Sequence, residues 1–465
     1  MYTYQDMLEA KDLMEFCQSA VNDARNSYDY RFAQIATEYF KGNNVTLTEF
    51  FKIVYNANGI AERRIDPKRV YSNFFHIFVM QAVTYSLANG INFNNQSTRD
   101  KLGRNFDTQM SKALLNGLVE KMSFLFWNCD HVEIFHMIHG NEVFVPLFDE
   151  ENGKMRAGIR CWQIANTKPQ YFTLYAEDGI REFKIEKGNK REWINAVPTP
   201  YRCVKSGDKA SFENDTYDVS YKNYSRLPIV PFYPLSVAQS FLTVLRSGID
   251  SYDLIKSGLA DDIQNCAEVF WSIENAGGMT KENIQTMLDS LNMLKFVNLP
   301  NADEGARAVP HQVKIPYEAR EVALSRIEKD LYRDAMALNS DSISGGEITA
   351  TQIQAAYEKM HSRADDIEAN LHQAILEILD IAGIDDSPFF VRSRITNRME
   401  EVSTILACQN YLDKTTTVKL LATTLGLIDQ IPTILDGLDK EESLLTENAL
   451  QVEDTDVEQT EENSV

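Results

Sequence analysis

Proline placement limits this chain more than any other feature. Its 13 prolines leave free stretches at 1–66, 235–299 and 317–387. A proline inside a helix removes a hydrogen bond and clashes with the preceding turn, so such stretches are where long helices can form. Pro198, Pro200, Pro228, Pro231 and Pro234 crowd the region ahead of the second stretch, which reads as turns and a linker.

Hydrophobic period supplies the next layer. Residues 1–125 read mainly helical, with apolar residues at helical spacing in 4–20, 28–40 and 70–88. Thr46 to Glu49 fits a capping box that opens a short helix. The aromatic stripe Tyr71, Phe74, Phe75 and Phe78 fits a core. Between 130 and 225 the period becomes two: VEIFHMI, EVFVPLF, GIRCWQIA, QYFTLYA and REFKIE are broken by turn signals at His139-Gly140-Asn141, Glu151–Gly153 and Asp178-Gly179. This predicts a meander of about five or six strands.

Residues 236–266 predict a long helix with two stripes. Ala238, Phe241, Leu245, Ile249, Tyr252, Ile255, Leu259, Ile263 and Cys266 make the apolar one; Arg246, Asp250, Asp253, Ser257, Asp261 and Gln264 make the polar one. A small mixed segment, 267–316, follows. A second long helix is predicted over 317–338, with Leu324, Ile327, Leu331, Ala335 and Leu338 on one face. Asn339–Ile348 is a polar, glycine-containing loop, and Thr349 to Gln352 is a capping box opening a third long helix. That helix carries Ile353, Tyr357, Met360, Ala364, Ile367, Leu371, Ala374 and Ile378 as a stripe and stops at Gly383, with Pro388 beyond. FFVRSRI reads as a short strand and 397–445 as helical. The last twenty residues hold seven acidic and no basic side chains, a composition that predicts disorder.

Composition narrows the function classes. At 465 residues, 44% hydrophobic and 25% charged, the chain is that of a folded globular protein of about two to four structural units. Its net charge of −22 excludes a protein that grips nucleic acid through overall charge. With no run of 18 apolar residues, no transmembrane helix and no membrane partner are expected; no basic n-region precedes an apolar one, so no secretory signal is expected. Six cysteines, the closest pair Cys129 and Cys161, form no CxxC and read as reduced, buried thiols.

Candidate chemistry is sparse. Cys129, His131, His136 and His139 offer four soft or borderline ligands suited to zinc. On one strand, however, His136 has the parity of Val132, Ile134 and Ile138, while His131 and His139 have the opposite one, so they converge only through a bulge. Ordinary strand and turn histidines are the expectation. No GxSxG, HExxH, P-loop or GxGxxG motif is present, and Gly345-Gly346 lacks the strand and the Lys-Ser/Thr of a phosphate cradle. Asp261-Asp262 and Asp365-Asp366 have the oxygens to hold magnesium but read as solvated charge. The basic clusters Arg63-Arg64 with Lys68-Arg69, Lys184 with Lys187, Lys190 and Arg191, and Arg392 with Arg394 and Arg398 read as subunit salt bridges or solvated charge ahead of a nucleic-acid patch. The sequence thus points to no enzyme: no catalytic residue, no cofactor and no metal.

The order of elements resembles the portal proteins of tailed double-stranded DNA bacteriophages, from about Tyr71 to Leu435. Pro146-Leu147-Phe148-Asp149 and Ala157 to Trp162 are similar to that family's "plyD" and "aiRyw" segments. LPIVPFYP at 227–234 resembles the approach to its stem. IDSYDLIKSGLADDIQ at 249–264 resembles its "iDaYd…Sd.addie", and Ile348–Lys359 with Asp366–Asn370 resemble the helix after the tunnel loop. Two departures stand out: the family's "YllG" reads Tyr85 to Gly90 here with its glycine displaced, and the first 60 residues match no named part.

The resemblance implies an α+β, mainly helical portal-type fold. Its parts would be a wing over 1–235 (helices plus a β meander), a first stem helix 236–266, a clip 267–316 and a second stem helix 317–338. A tunnel loop 339–348, a tunnel helix with closing strand 349–396, a crown 397–445 and an acidic tail 446–465 complete it. The resemblance implies a ring, usually of about twelve copies, at the capsid portal vertex of a virion, assembled from chains made in the host cytoplasm. Through it double-stranded DNA would pass without sequence-specific binding. Partners implied are the large terminase subunit, the head-completion adaptor, and the major capsid and scaffolding proteins. Asn339, Ser340, Asp341, Ser342, Ser344, Gly345, Gly346 and Glu347 would surround the DNA. Lys281 and Glu282 would face clip partners. The stem's polar stripe, Arg246, Asp250, Asp253 and Asp261, would be free to face a neighbour or the channel. The alternative is a capsid-associated adaptor or minor head scaffold protein that mediates protein contacts alone.

Overall fold

The computed structural model describes residues 2–55, 61–65, 67–186, 188–206, 218–265, 270–274, 307–311, 317–339, 350–392 and 398–425, with isolated positions between 431 and 437. Helix and strand are mixed. Residues up to 392 make one compact unit, and those from 398 belong to a second.

The first unit holds a six-stranded antiparallel meander in the order Lys190–Thr199, Gly179–Glu186, Gln170–Ala176, Met155–Trp162, Glu142–Phe148 and Ile138–His139. Each strand joins the next by a hairpin, as alternating hydrophobicity with short turns dictates. Gly179 is obligatory at one of them: its φ is 135°, and a Cβ would lie 2.7 Å from the Thr199 carbonyl oxygen. Helix Leu13–Asn26 covers the sheet with Phe16, Cys17, Ala20, Val21 and Ala24, all buried at helical spacing.

A smaller sheet, Ile229–Phe232, Ser123–Asn128 and His131–His136, ties this layer to the helices. Its central strand is SFLFWN, apolar on both faces, the pattern of a strand buried on both sides. Phe124 and Phe126 enter the sheet's core. Leu125 and Trp127 enter a second core made by helices Phe74–Leu87, Phe106–Glu120, Leu242–Asn265, Tyr317–Asp334 and Ala350–Ala382. Phe74, Phe75 and Phe78 of the aromatic stripe lie in that second core. Phe74 meets Tyr252 edge-on at 5.0 Å, and Phe78 meets Tyr332 at 5.1 Å, which knits three helices together.

Helix ends follow from local hydrogen bonds, and several differ from the sequence reading. The first long helix begins at Leu242 instead of 236. Ser240 Oγ donates to the Val119 carbonyl and the Phe241 amide to the Leu118 carbonyl, so 236–241 serves as the C-terminal cap of helix 106–120. The second long helix ends at Asp334, because Met336 adopts φ 46° and the Ala337 amide returns to the Tyr332 carbonyl. The third runs from Ala350 to Ala382; the Ile384 amide bonds the Leu379 carbonyl around left-handed Gly383. The short helix Val45–Thr48 is capped by Asn44, whose Oδ1 accepts from the Leu47 amide. Thr46, the expected cap, pairs its hydroxyl with Tyr39 and Arg246 instead. The closing strand is Pro388–Phe390, paired with Ile91–Phe93.

The polar stripe of helix 242–265 is engaged by the chain's own residues Tyr39, Asn44, Thr46 and 68–72. Asp253, fully buried, accepts from the Ser72 amide at 2.8 Å and from Asn44 Nδ2 at 2.9 Å. Ser257 Oγ accepts from the Val70 amide at 3.0 Å, and Asp261 Oδ1 from the Lys68 amide at 2.9 Å. The two spacings agree physically: two extended residues advance about 6.6 Å, and four helical ones about 6 Å. An extended strap without a strand neighbour is thereby satisfied by helix side chains. Further up, the Tyr39 hydroxyl donates to Asp250, and Arg246 reaches Thr46 at 3.1 Å and Asp250 at 3.8 Å. Burial, then the Asp250 bond, pushes the Tyr39 hydroxyl up to about 12. Burial raises the Asp253 carboxyl above its ordinary value, opposed by its Asn44 and Ser72 bonds.

Each rung of this ladder is separable by hydrogen exchange. Asp253→Ala should speed exchange at the Ser72 amide, Ser257→Ala at Val70 and Asp261→Ala at Lys68, each leaving the others comparatively protected. Asp253→Ala should also cost about 2 kcal/mol in denaturant unfolding, since it strands two donors. Unchanged exchange at all three amides would show that the strap is held by other means.

Candidate functional site

The two long helices Leu242–Asn265 and Tyr317–Asp334 pack as a hairpin whose tip carries a ribbon of Phe270–Glu274 paired with Arg307–His311. Gly248 allows the close approach: a Cβ there would lie 2.7 Å from Leu331 Cδ2. Toward the tip, Arg320 pairs with Asp262 at 2.6 Å. At 24 residues, the first helix is roughly 36 Å long.

Three faces of that helix meet three environments. Leu242, Leu245 and Ile249 are buried in the helical core. Arg246, Asp250, Asp253, Ser257 and Asp261 face the strap and Tyr39, so the polar stripe is covered by the same chain. The third face, Val244, Ser247, Ser251 and Leu254, is exposed and continues to Gly258. Its spacing of three and four places these residues in one row, and none is charged. Val244 is 51% exposed and Leu254 45%. An uncharged exposed row on a chain this rich in charge has the character of a protein contact surface. Sequence reading with two stripes missed this row, although the absence of Asp, Glu, Lys and Arg at its five positions is a readable signal.

Apolar side chains lower on the hairpin are also open. Ile263, placed on the apolar stripe by the sequence, is 57% exposed, as is Tyr317 at 53%, and Val322 is exposed further still. Phe50, Phe51 and Ile53 of the N-terminal region are exposed as well, the first two lining a shallow cavity with Leu254 and the strap residues Pro67 to Arg69.

The remaining sequence-selected residues divide in two. Of the loop, Asn339 is described; Ser340, Asp341, Ser342, Ser344, Gly345, Gly346 and Glu347 lie outside the described residues, as do Lys281 and Glu282. The loop's N-terminal flank is fixed: Gln81 Nε2 donates to the Leu338 carbonyl at 3.0 Å, and the Leu338 amide to Gln81 Oε1 at 3.2 Å. The charged clusters find internal partners. Lys184 pairs with Glu186 and Glu192, Arg191 with Asp12 and Glu15, and Arg392 with Asp365 and Glu368. Asp366 accepts from Ser236.

The histidine cluster departs from the strand-parity reading. Strand 131–136 ends at a bend at Met137, where the chain passes from the smaller sheet to the meander; Met137 and Ile138 are consecutively buried and both amides donate to Glu120 Oε2, at 2.8 and 3.2 Å. This break between strands, which a single-strand parity reading does not contain, brings His136 and His139 to a stacked pair, centroids 4.6 Å apart. Cys129 and His131 stay apart from them: Cys129 Sγ reaches the Tyr201 carbonyl, and His131 pairs with Asp130.

Helices Arg398–Ala407 and Lys414–Leu425 pack on each other, and Asp413 caps the second by accepting from the Thr416 amide at 2.9 Å.

The chain is 24% identical over 188 residues to the portal protein of Clostridium phage phiCD119, covering 38% of this chain and 41% of that protein. It is 24% identical over 198 residues to the portal protein of Bacillus phage SPP1, covering 39% and 38%. The matches thus span about two fifths of each relative's length. Among solved structures, the neck of an empty GTA particle computed with C6 symmetry aligns over 76% of this chain and 90% of that one, with 10% identity and a TM-score of 0.43. The match to the family described as phage portal protein, SPP1 Gp6-like, runs over residues 23–382, most of the chain, and the chain belongs to that family.

Proposed function

We propose that the chain is the subunit of a closed ring, of about twelve copies, that forms the portal vertex of a phage capsid and conducts double-stranded DNA during packaging and ejection. The carrying observation is the exposed, uncharged row Val244, Ser247, Ser251 and Leu254 on the stem hairpin. The polar stripe has its partner within the chain, whereas this row has solvent, and a neighbouring copy would bury it. In a ring the contact is heterologous: one surface of each copy meets a different surface of the next.

The charge supports passage without gripping. Each copy carries a net charge of −22, and a ring multiplies it. An acidic wall repels phosphates, so the duplex meets little friction. The role is structural, with the wing, stem, clip and crown assigned as the sequence reading divides them and no catalytic group among them. The clip, 267–316, would meet the large terminase subunit and then the head-completion adaptor through Lys281 and Glu282. The loop Asn339–Ile348 would line the narrowest part of the channel. No Arg or Lys lies between 334 and 358, so its contacts to DNA would be weak and independent of sequence.

Three measurements test this reading. Native mass spectrometry of the purified chain should show rings; Val244→Lys with Leu254→Lys should leave far-UV circular dichroism unchanged and abolish them. Stable monomers and dimers under every salt condition would overturn the proposal. Reversing the charges of Lys281 and Glu282 should weaken terminase binding without disturbing rings, and unchanged binding and packaging would remove those two residues from the contact. Replacing Gly345-Gly346 by two bulky residues should stall DNA filling, read by nuclease protection, while rings still form. Normal filling by such rings would show that the loop does not gate the channel.

A further inference from the structure

Glu120, His136 and His139 are, among the described residues, the group of metal-capable side chains whose donor atoms converge, all within 4.8 Å of one another. They come from three local elements: the C-terminal end of helix 106–120, the end of strand 131–136, and the hairpin strand 138–139. Glu120 is 3% exposed and held in place, its Oε2 accepting the Met137 and Ile138 amides. Its Oε1 lies 2.8 Å from His136 Nδ1. Asn116 Nδ2 stands 3.4 Å from His136 Nε2, at the edge of hydrogen-bond range. His139 is exposed beside the stack and can turn its ring without disturbing the core.

We infer that Glu120, His136 and His139 bind a divalent transition-metal ion of the zinc class. Two imidazoles and one carboxylate suit zinc or cobalt, whereas magnesium and calcium require oxygen donors. A buried carboxylate fixed by two main-chain amides is a preorganised ligand, and solvent at His139 supplies both the way in and the remaining coordination positions. The bound ion would clasp the hairpin at 138–143 to helix 106–120. The site is independent of the ring proposal, since its three residues belong to one chain and none of them lies on helices 242–265 or 317–334.

Cobalt is the probe, because its visible ligand-field spectrum reports imidazole coordination and ignores ions held loosely by the many surface carboxylates. Chelator-treated full-length protein titrated with cobalt chloride should develop such a spectrum at one ion per chain, and zinc chloride should displace it. Magnesium should not. His139→Ala, on an exposed turn, should weaken cobalt binding about tenfold or more, and His131→Ala, outside the cluster, should leave it unchanged. Zinc should also raise the thermal midpoint of the wild type and not of His139→Ala. No spectrum at saturating cobalt, or equal binding by wild type and His139→Ala, would overturn the assignment.

Discussion

Three main-chain amides at Lys68, Val70 and Ser72 need acceptors, and the helix 242–265 supplies them from its side chains. A strand normally meets this requirement from another strand. Here a row of Asp and Ser on a helix takes that place, because four helical residues and two extended ones advance by nearly the same distance. The substitution fixes direction and register together. It also explains why carboxylates sit on a helix face that is largely closed to solvent: their acceptor capacity is used by the chain itself, and buried Asp253 is satisfied by the Ser72 amide and Asn44. The N-terminal region is thereby locked to helix 242–265 within the one chain.

A second joint acts through apolar contact. Strand 123–128 sends alternate residues into two cores, Phe124 and Phe126 to one side and Leu125 and Trp127 to the other. Helix Tyr28–Phe40 does the same at helical spacing, with Tyr30 and Ala33 toward the sheet and Phe32, Ala36 and Tyr39 toward the helices. Meander and helical core therefore cannot slide past each other without breaking packing on both sides of one strand.

Much of this was legible in the residues. The period of two between 131 and 186 marks the meander, and Gly140, Gly153 and Gly179 stand with positive φ where its turns are read. Tyr357, Met360, Ala364, Ile367, Leu371, Ala374 and Ile378 are buried along one stripe of the third long helix. What sequence could not carry was the identity of distant partners. Thr46 has the spacing of a cap, yet its hydroxyl is recruited by Tyr39 and Arg246, residues brought close by tertiary structure. Likewise the stripe at 246–261 shows that polar groups share a face, but not that residues 68–72 lie on it. His136 and His139 meet across a bend between two sheets, held by Glu120, sixteen positions before the first of them, a contact strand parity has no means to express.

The third long helix has a mechanical consequence. Its 33 residues form a rod of roughly 50 Å. Its C-terminal half, from Ile367 to Ile381, is clamped in the core, while its first residue, Ala350, adjoins the loop segment. Between the two, Tyr357, Met360 and Ala364 pack on Tyr85 in a separate small cluster, so the rod is a lever with its fulcrum near Ile367. A tilt of about 5° there moves Ala350, roughly 26 Å away along the helix, by roughly 2 Å, so core rearrangements too small to break packing are amplified toward the loop segment.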